Sequence, residues 1–529
     1  MKELKFEELS LEQKIGMVTC GIFAPGRDTK YDENAYELIR NHAMGAVWIQ
    51  PGIPDFDEVI AKIKEAADYP ILIMRDAERG IAPYTIGRHN ALGMADNEEL
   101  AYTFGKVTAI MARKMGNNVV CDPVIDMIDC KGICGANARS MGSDKEKVAK
   151  LAKAVARGMH DGGVLTVAKH YGSAGKDHLI DSHMAENSSS VTKEEFIDYN
   201  LYPYIELMKE GLMDGVMAGH YRLMNIDPDR PASLSKKALG ILRELGFDGF
   251  IISDALPMMG IVAKFGETDS KGMAVEAGND IALVWSPNNR AGFDNMLNCY
   301  KKGIISDERL DQAAKYVLAA QHKVLELQNP KFTEITEEDK KAISRINTDS
   351  ICVKTDDGVP PVLAKEGKHL FFVLTDNETD ISADGKVTVD TFSGGWYSSK
   401  AICDRLNELY PNSKVVAIRQ FPTQRENNDA VELAVKYDDV IFVTFTEGRP
   451  YLGREQFTPR IISLIEAMQM TNQISTIVHY GNPYALEDLP HIPRKVFGTC
   501  SKEGVIAAFE VLAGNYPPKG TMTYEVDFK

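Results

Sequence analysis

Residues 168–183 read AKHYGSAGKDHLIDSH. The apolar, β-prone run leading into them, Val164-Leu165-Thr166-Val167-Ala168, has the pattern of a buried strand. It ends at Lys169-His170, and a glycine-bearing loop follows that closes on Asp181-Ser182-His183. Two histidines, a lysine and an Asp-x-His pair do not belong in a core. They do belong at the C-terminal end of a strand in an α/β barrel, where that end carries the chemistry. A second such end follows at Ile251-Ile252-Ser253-Asp254.

Outward from these two points, strand-like runs recur along the first 330 or so residues, as an eightfold barrel requires. Those before 168 are Met17-Val18-Thr19, Ala46–Ile49, Ile71–Met74, Val119–Cys121 and Thr166–Ala168; those after it are Val216–Ala218, Ile251–Ser253 and Ala282–Val284. Ser10 with Gln13 makes a capping box for a helix running into Gly16 and beyond. Val148, Leu151, Ala152, Val155 and Met159 recur at helical spacing and face one side toward a core. Strands alternating with helical crossovers predict a (β/α)8 TIM-type barrel over residues 1–330, although a doubly wound sheet could use the same elements. The charged stretch Glu334 to Lys341 and the turn-rich Asp356–Pro361 predict a linker over 331–365. Beyond it, strands at 370–374, 415–418, 440–444 and 475–479 predict a smaller α/β layered domain, an αβα sandwich, over 366–529. Its glycine-bearing loop Glu447–Arg454 lacks phosphate-loop spacing.

Composition narrows the function classes. At 529 residues, with 44% hydrophobic and 26% charged residues, the chain reads as a globular protein of two domains. A formal net charge of −16 argues against nucleic acid or an anionic membrane as a partner. The opening MKELKFEELSLEQKIGMV has no apolar signal core, and eight cysteines lie without paired spacing. Free thiols in a reducing cytoplasm are the expectation. Cys121, Cys130 and Cys134 fall close together, but no His/Cys set completes a zinc pattern.

Polar residues of the first domain cluster at strand ends: Asp76 with Glu78 and Arg79 beside it, Arg139, Lys169 and His170, His220 and Asp254. Each alone reads as a helix cap or an ion-pair partner. Together they would line a ring of donors and acceptors suited to a polyhydroxylated ligand.

These residues sit in ordered motifs. Asp122-Pro123-Val124-Ile125-Asp126 is similar to A-P-V-x-D, and Asn137–Gly142 to x-x-R-S-F-G. Lys169-His170 with Asp181-Ser182-His183 resembles K-H-F-P-G-H-G…D-S-H. Pro231–Ser235, Gly246-Phe247 and Ile252–Met258 resemble P-A-x-x-S…G-F…I-S-D-D-L-x-M, and the similarity runs on through Gly481–Tyr484. The chain thereby resembles glycoside hydrolase family 3, in its branch of bacterial β-N-acetylglucosaminidases. The resemblance implies Asp254 as the nucleophile of a covalent glycosyl-enzyme and His183 as general acid/base, oriented by Asp181. It implies Asp76, Arg139, Lys169 and His170 as ligands of the sugar hydroxyls; His220, at the end of the sixth strand, joins them on position. It implies a terminal β-linked N-acetylglucosaminide as substrate, and no metal or organic cofactor. A second carboxylate is the usual acid/base of retaining glycosidases. Imidazole titrates near neutrality, so an Asp-x-His pair can donate a proton in one step and accept one in the next.

The sequence also departs from the pattern. D-Q-E-G-G-R is here Asp76-Ala77-Glu78-Arg79-Gly80-Ile81, and F-P-G-H-G is Tyr171-Gly172-Ser173-Ala174-Gly175. Cell-wall fragments, chitin-derived oligosaccharides and other N-acetylglucosaminides therefore stay open as substrates. Phosphorolysis by the same site, β-glucosidase or xylosidase activity, and a barrel that only binds sugar are the alternatives. Oligomeric state is not legible in the sequence.

Overall fold

The structure is a computed structural model. It describes all residues except 27–29, 31, 130–138, 175–180, 382–386, 394–396, 447–455, 472 and 529, and describes 376–381, 387–393 and 397–398 by backbone alone. Lys176, Cys130, Cys134, Asn137-Ala138 and the Glu447–Glu455 loop thus lie outside the described residues. The chain divides into two compact units, 1–84 with 98–128 and 144–340, and 85–97 with 129–143 and 341–529.

The first unit is built on eight strands: β1 (Thr19–Phe23), β2 (Ala46–Ile49), β3 (Leu72–Asp76), β4 (Val119–Cys121), β5 (Leu165–Tyr171), β6 (Gly215–Ala218), β7 (Phe250–Ser253) and β8 (Ala282–Leu283). Each is parallel to its neighbour in chain order, β1 pairs β8 through Thr19↔Ala282, and an Ile252↔Ile281 bridge joins β7 to β8. This is the expected (β/α)8 barrel. Its strands are buried on both faces, which is why they read as continuous apolar runs rather than alternating ones. Val119, Cys121, Leu165, Val167, Met217, Phe250 and Ile252 share one core with Leu72 and Met74.

Local sequence sets most of the boundaries. Ser10 and Gln13 form the reciprocal cap of a helix Leu11–Met17, so β1 starts at Thr19, two residues later than Met17. Asp144 accepts from Lys147 N at 3.0 Å and starts the helix Lys145–Asp161, whose buried face includes Val148, Leu151, Ala152, Val155 and Met159. β5 runs two residues past Lys169, to Tyr171.

Within the stretch expected as a linker, a helix Glu337–Asp349 and a strand β9 (Cys352–Thr355) form. The second unit continues with β10 (His369–Ile381), β11 (Val387–Ser393), β12 (Tyr397–Ser398), β13 (Lys414–Arg419), β14 (Asp439–Thr446), β15 (Ile474–Gly481) and β16 (Arg494–Gly498). Its sheet runs β13-β10-β14-β15-β16-β9, parallel except for β9, while the far end of β10 turns into an antiparallel hairpin with β11. Alternate residues of β10 serve two cores: Phe371 and Val373 pack with Ile402, Leu406 and Phe509, and Leu370, Phe372 and Leu374 with Ile461 and Leu464. Helices on both faces of one sheet make the αβα sandwich. Among the described residues, no helix is long and apolar enough to cross a membrane.

Candidate active site

The C-terminal end of β7 is fixed from both sides. Ser253 N–H donates to Ile281 O at 3.0 Å, Leu283 N–H donates to Ser253 Oγ at 3.0 Å, and Asp254 N–H donates to Ala218 O at 2.9 Å. Asp254 is therefore held at the barrel mouth by its backbone N–H, and Oδ1 accepts the Ala255 N–H at 2.7 Å. Burial pushes its carboxyl up. The positive forms of His220 and His170, the Ala255 N–H and then His183 outweigh burial and hold it at about 2. Three histidines, His170 and His183 from the end of β5 and its loop and His220 from the end of β6, are thus within electrostatic reach of one carboxylate.

His183 and Asp181 form a compact pair. Asp181 Oδ1 accepts both the His183 backbone N–H, at 3.0 Å, and the ring, Nδ1 lying 2.7 Å away. Asp181 is buried, and its own carbonyl accepts from Met184 N and Ala185 N, closing a tight turn. The Asp181 contact fixes the orientation of the ring. The loop is pinned to the segment after Asp254: Met259 N–H donates to His183 O at 3.1 Å. A Cβ on Gly260 would stand 2.9 Å from the carbonyl oxygens of both Ser182 and Ala185, so the close approach requires glycine.

Lys169 and His170 occupy the last turn of β5. The Lys169 ammonium is buried between Asp76 Oδ1 at 2.5 Å and Glu78 Oε1 at 2.8 Å. Asp126 takes His170 with both oxygens, Oδ1 from the backbone N–H at 2.7 Å and Oδ2 against Nδ1 at 2.9 Å. The segment after β4 runs beside β5, Lys169 N–H donating to Pro123 O and Ile125 N–H to Lys169 O, and this sets Asp126 opposite His170. Gly172 then turns the chain with φ +92°, where a Cβ would lie 2.4 Å from Ala232 Cβ. The related motif has proline there, whose ring fixes φ near −65°, so this loop leaves the strand by a route closed to that motif.

His220 is turned inward. Nε2 lies 3.0 Å from Ala255 O, which can only accept, so Nε2 carries the proton; Nδ1 lies 2.7 Å from Ser233 Oγ. Burial pushes its pKa down, with Asp254 opposing. Both ring nitrogens have protein partners, which makes His220 a support behind Asp254.

Asp254, His183, Asp181, His170, His220, Lys169 and Asp76 all belong to the barrel unit, at its strand ends and the loops that follow them. Arg139 belongs to the 129–143 segment grouped with the second unit. The family resemblance implies no role for Glu78, Asp126 or Ser233, which the fold sets against Lys169, His170 and His220. A lone carboxylate or hydroxyl in a motif carries no signal of which side chain it will meet. A cavity of about 410 Å³ lined by Tyr69, Ile71, Asn117, Asn118 and Gly163 opens at the opposite, N-terminal ends of the strands. Chemistry rather than cavity size selects the site.

The glycosyl hydrolase family 3 N-terminal domain matches residues 5–320. A β-hexosaminidase of Idiomarina loihiensis is 31% identical over 259 residues, covering 46% of this chain and 76% of its own. One from Tolumonas auensis is 31% identical over 278 residues, 49% and 80% respectively. Among solved structures, a family 3 β-N-acetylglucosaminidase from Paenibacillus sp. superposes with a TM-score of 0.80 at 24% identity, covering 98% of this chain and all of that one. A β-glucoside phosphorylase superposes at 0.78 and 23%, covering 98% and 95%. These two structures show the same fold.

Proposed function

The chain belongs to glycosyl hydrolase family 3, and on that premise we propose that it is a retaining β-N-acetylhexosaminidase releasing terminal β-linked N-acetylglucosamine. The observation that carries this reading is the Asp181–His183 pair at 2.7 Å on the loop pinned beside Asp254. In the first step Asp254 attacks the anomeric carbon while His183 Nε2 gives its proton to the departing glycosidic oxygen. In the second, His183 takes a proton from water as that water displaces Asp254 from the sugar. Two inversions give net retention. Asp254 stays ionised at any working pH, as a nucleophile must. A neutral His220 braces it without adding a positive charge beside it at neutral pH. Lys169, Asp76 and His170 bind the hydroxyls of the sugar being cleaved.

The substrate class rests on the hexosaminidases that are about 31% identical to this chain and on the D-S-H loop. A panel of p-nitrophenyl β-glycosides tests it, with the N-acetylglucosaminide expected to exceed the glucoside and xyloside. NMR of first-formed product should give the β-anomer, and Asp254→Ala should abolish turnover. An initial α-anomer, or near-normal activity in Asp254→Ala, would sink the covalent mechanism.

A further inference from the structure

Two methionines flank the peptide of the proposed proton donor, and both stand in solvent. Met184 follows His183 directly and is 47% exposed. Met259 opens the helix Met259–Phe265 and is 46% exposed, although Met258 beside it is buried. The hydrogen bond from Met259 N–H to His183 O, and the contact of Gly260 with Ser182 and Ala185, hold the two segments together. Large apolar side chains on a loop of this polarity are not filling a core. The polar cluster of Lys169, Asp76, Glu78, His170 and Asp126 includes neither of them.

The chemistry of the pair says what they adjoin. His183 protonates the glycosidic oxygen, and the group beyond that oxygen is the leaving group. We propose that Met184 and Met259 form an apolar seat for it, so that the enzyme favours glycosides whose aglycone presents an aromatic or other apolar face. The proposal rests on His183 being the proton donor. Methionine suits the task, since its unbranched, polarisable thioether adapts to aromatic rings of differing shape.

Methyl and benzyl β-N-acetylglucosaminides test this, because their leaving alkoxides are of similar basicity and differ mainly in apolar surface. The wild-type enzyme should favour the benzyl glycoside in kcat/KM by about tenfold, within the range of sulfur–aromatic and burial effects. In the Met184→Ser/Met259→Ser double variant the benzyl-to-methyl ratio should fall toward one. Met184→Leu/Met259→Leu should restore it, which separates a lost seat from a disturbed loop. A wild-type ratio near one, or a ratio unmoved by the serine pair, overturns the seat while leaving the enzyme's activity intact. Failure of the wild-type enzyme to cleave either glycoside would instead overturn the function reading, and this proposal with it.

Discussion

Asp181→Asn removes the charge behind His183 and keeps its shape. One oxygen, Oδ1, accepts both the His183 backbone N–H at 3.0 Å and its Nδ1–H at 2.7 Å. An amide oxygen can accept both, so ring orientation and tautomer survive. A charged acceptor makes these hydrogen bonds stronger than a neutral amide oxygen does, by about 1–2 kcal/mol. That predicts a loss of roughly 5- to 30-fold in a step during which the imidazole carries charge. The assay is kcat/KM, which reports formation of the glycosyl-enzyme, for two leaving groups. Methyl β-N-acetylglucosaminide needs the proton and should show the full loss. The 2,4-dinitrophenyl glycoside leaves unaided and should be nearly unaffected. An equal fall for both, or none for the methyl glycoside, would refute Asp181 as the partner of an acid/base His183.

Asp254 is held at about 2, below the ordinary carboxylate value. Between roughly pH 4 and 2 the unfolded chain therefore binds a proton there that the folded chain does not, and the stability this gives above pH 4 is lost as pH falls through that window. In Asp254→Asn the slope of the urea midpoint below pH 4 should be shallower by about one proton; an unchanged slope would show that the carboxylate is not depressed. Lys169→Met removes the ammonium packed against Glu78, whose side chain is 10% exposed, while Asp76 at 47% can turn to water. We expect a destabilisation of about 3 kcal/mol in denaturant titrations, mostly recovered by adding Glu78→Gln, and simple additivity would refute the coupling. Phosphate should accelerate turnover of an activated aryl N-acetylglucosaminide and yield some sugar 1-phosphate, because a carboxylate acid/base would repel the dianion by roughly 4 kcal/mol per charge at 4 Å and a neutral imidazole does not. A rate independent of phosphate at constant ionic strength, with no sugar phosphate on chromatography, would leave plain hydrolysis.

The barrel was legible in the chain because its information is local. A strand buried on both faces must be a short apolar run, as Ile251–Ser253 is, and a cap such as Ser10–Gln13 is written in adjacent residues. The same holds for Asp181 and His183, whose spacing of two already sets a carboxylate beside an imidazole. Partnerships across the barrel were not legible. Asp126 meets His170 over 44 positions, Lys169 meets Asp76 over 93, and His220 faces Ser233 and Ala255 rather than a ligand. Whether a strand-end histidine points to substrate or to a neighbouring carbonyl depends on which strands the closed sheet places beside it. The linker stretch also holds a helix at Glu337–Asp349 and an edge strand at Cys352–Thr355, and for a related reason these were not legible: packing that charge and turn residues do not encode stabilises them. Sequence determined which groups stand at the strand ends. Only the closed barrel decided which of them touch, because contact between distant residues is set by the register of the whole sheet.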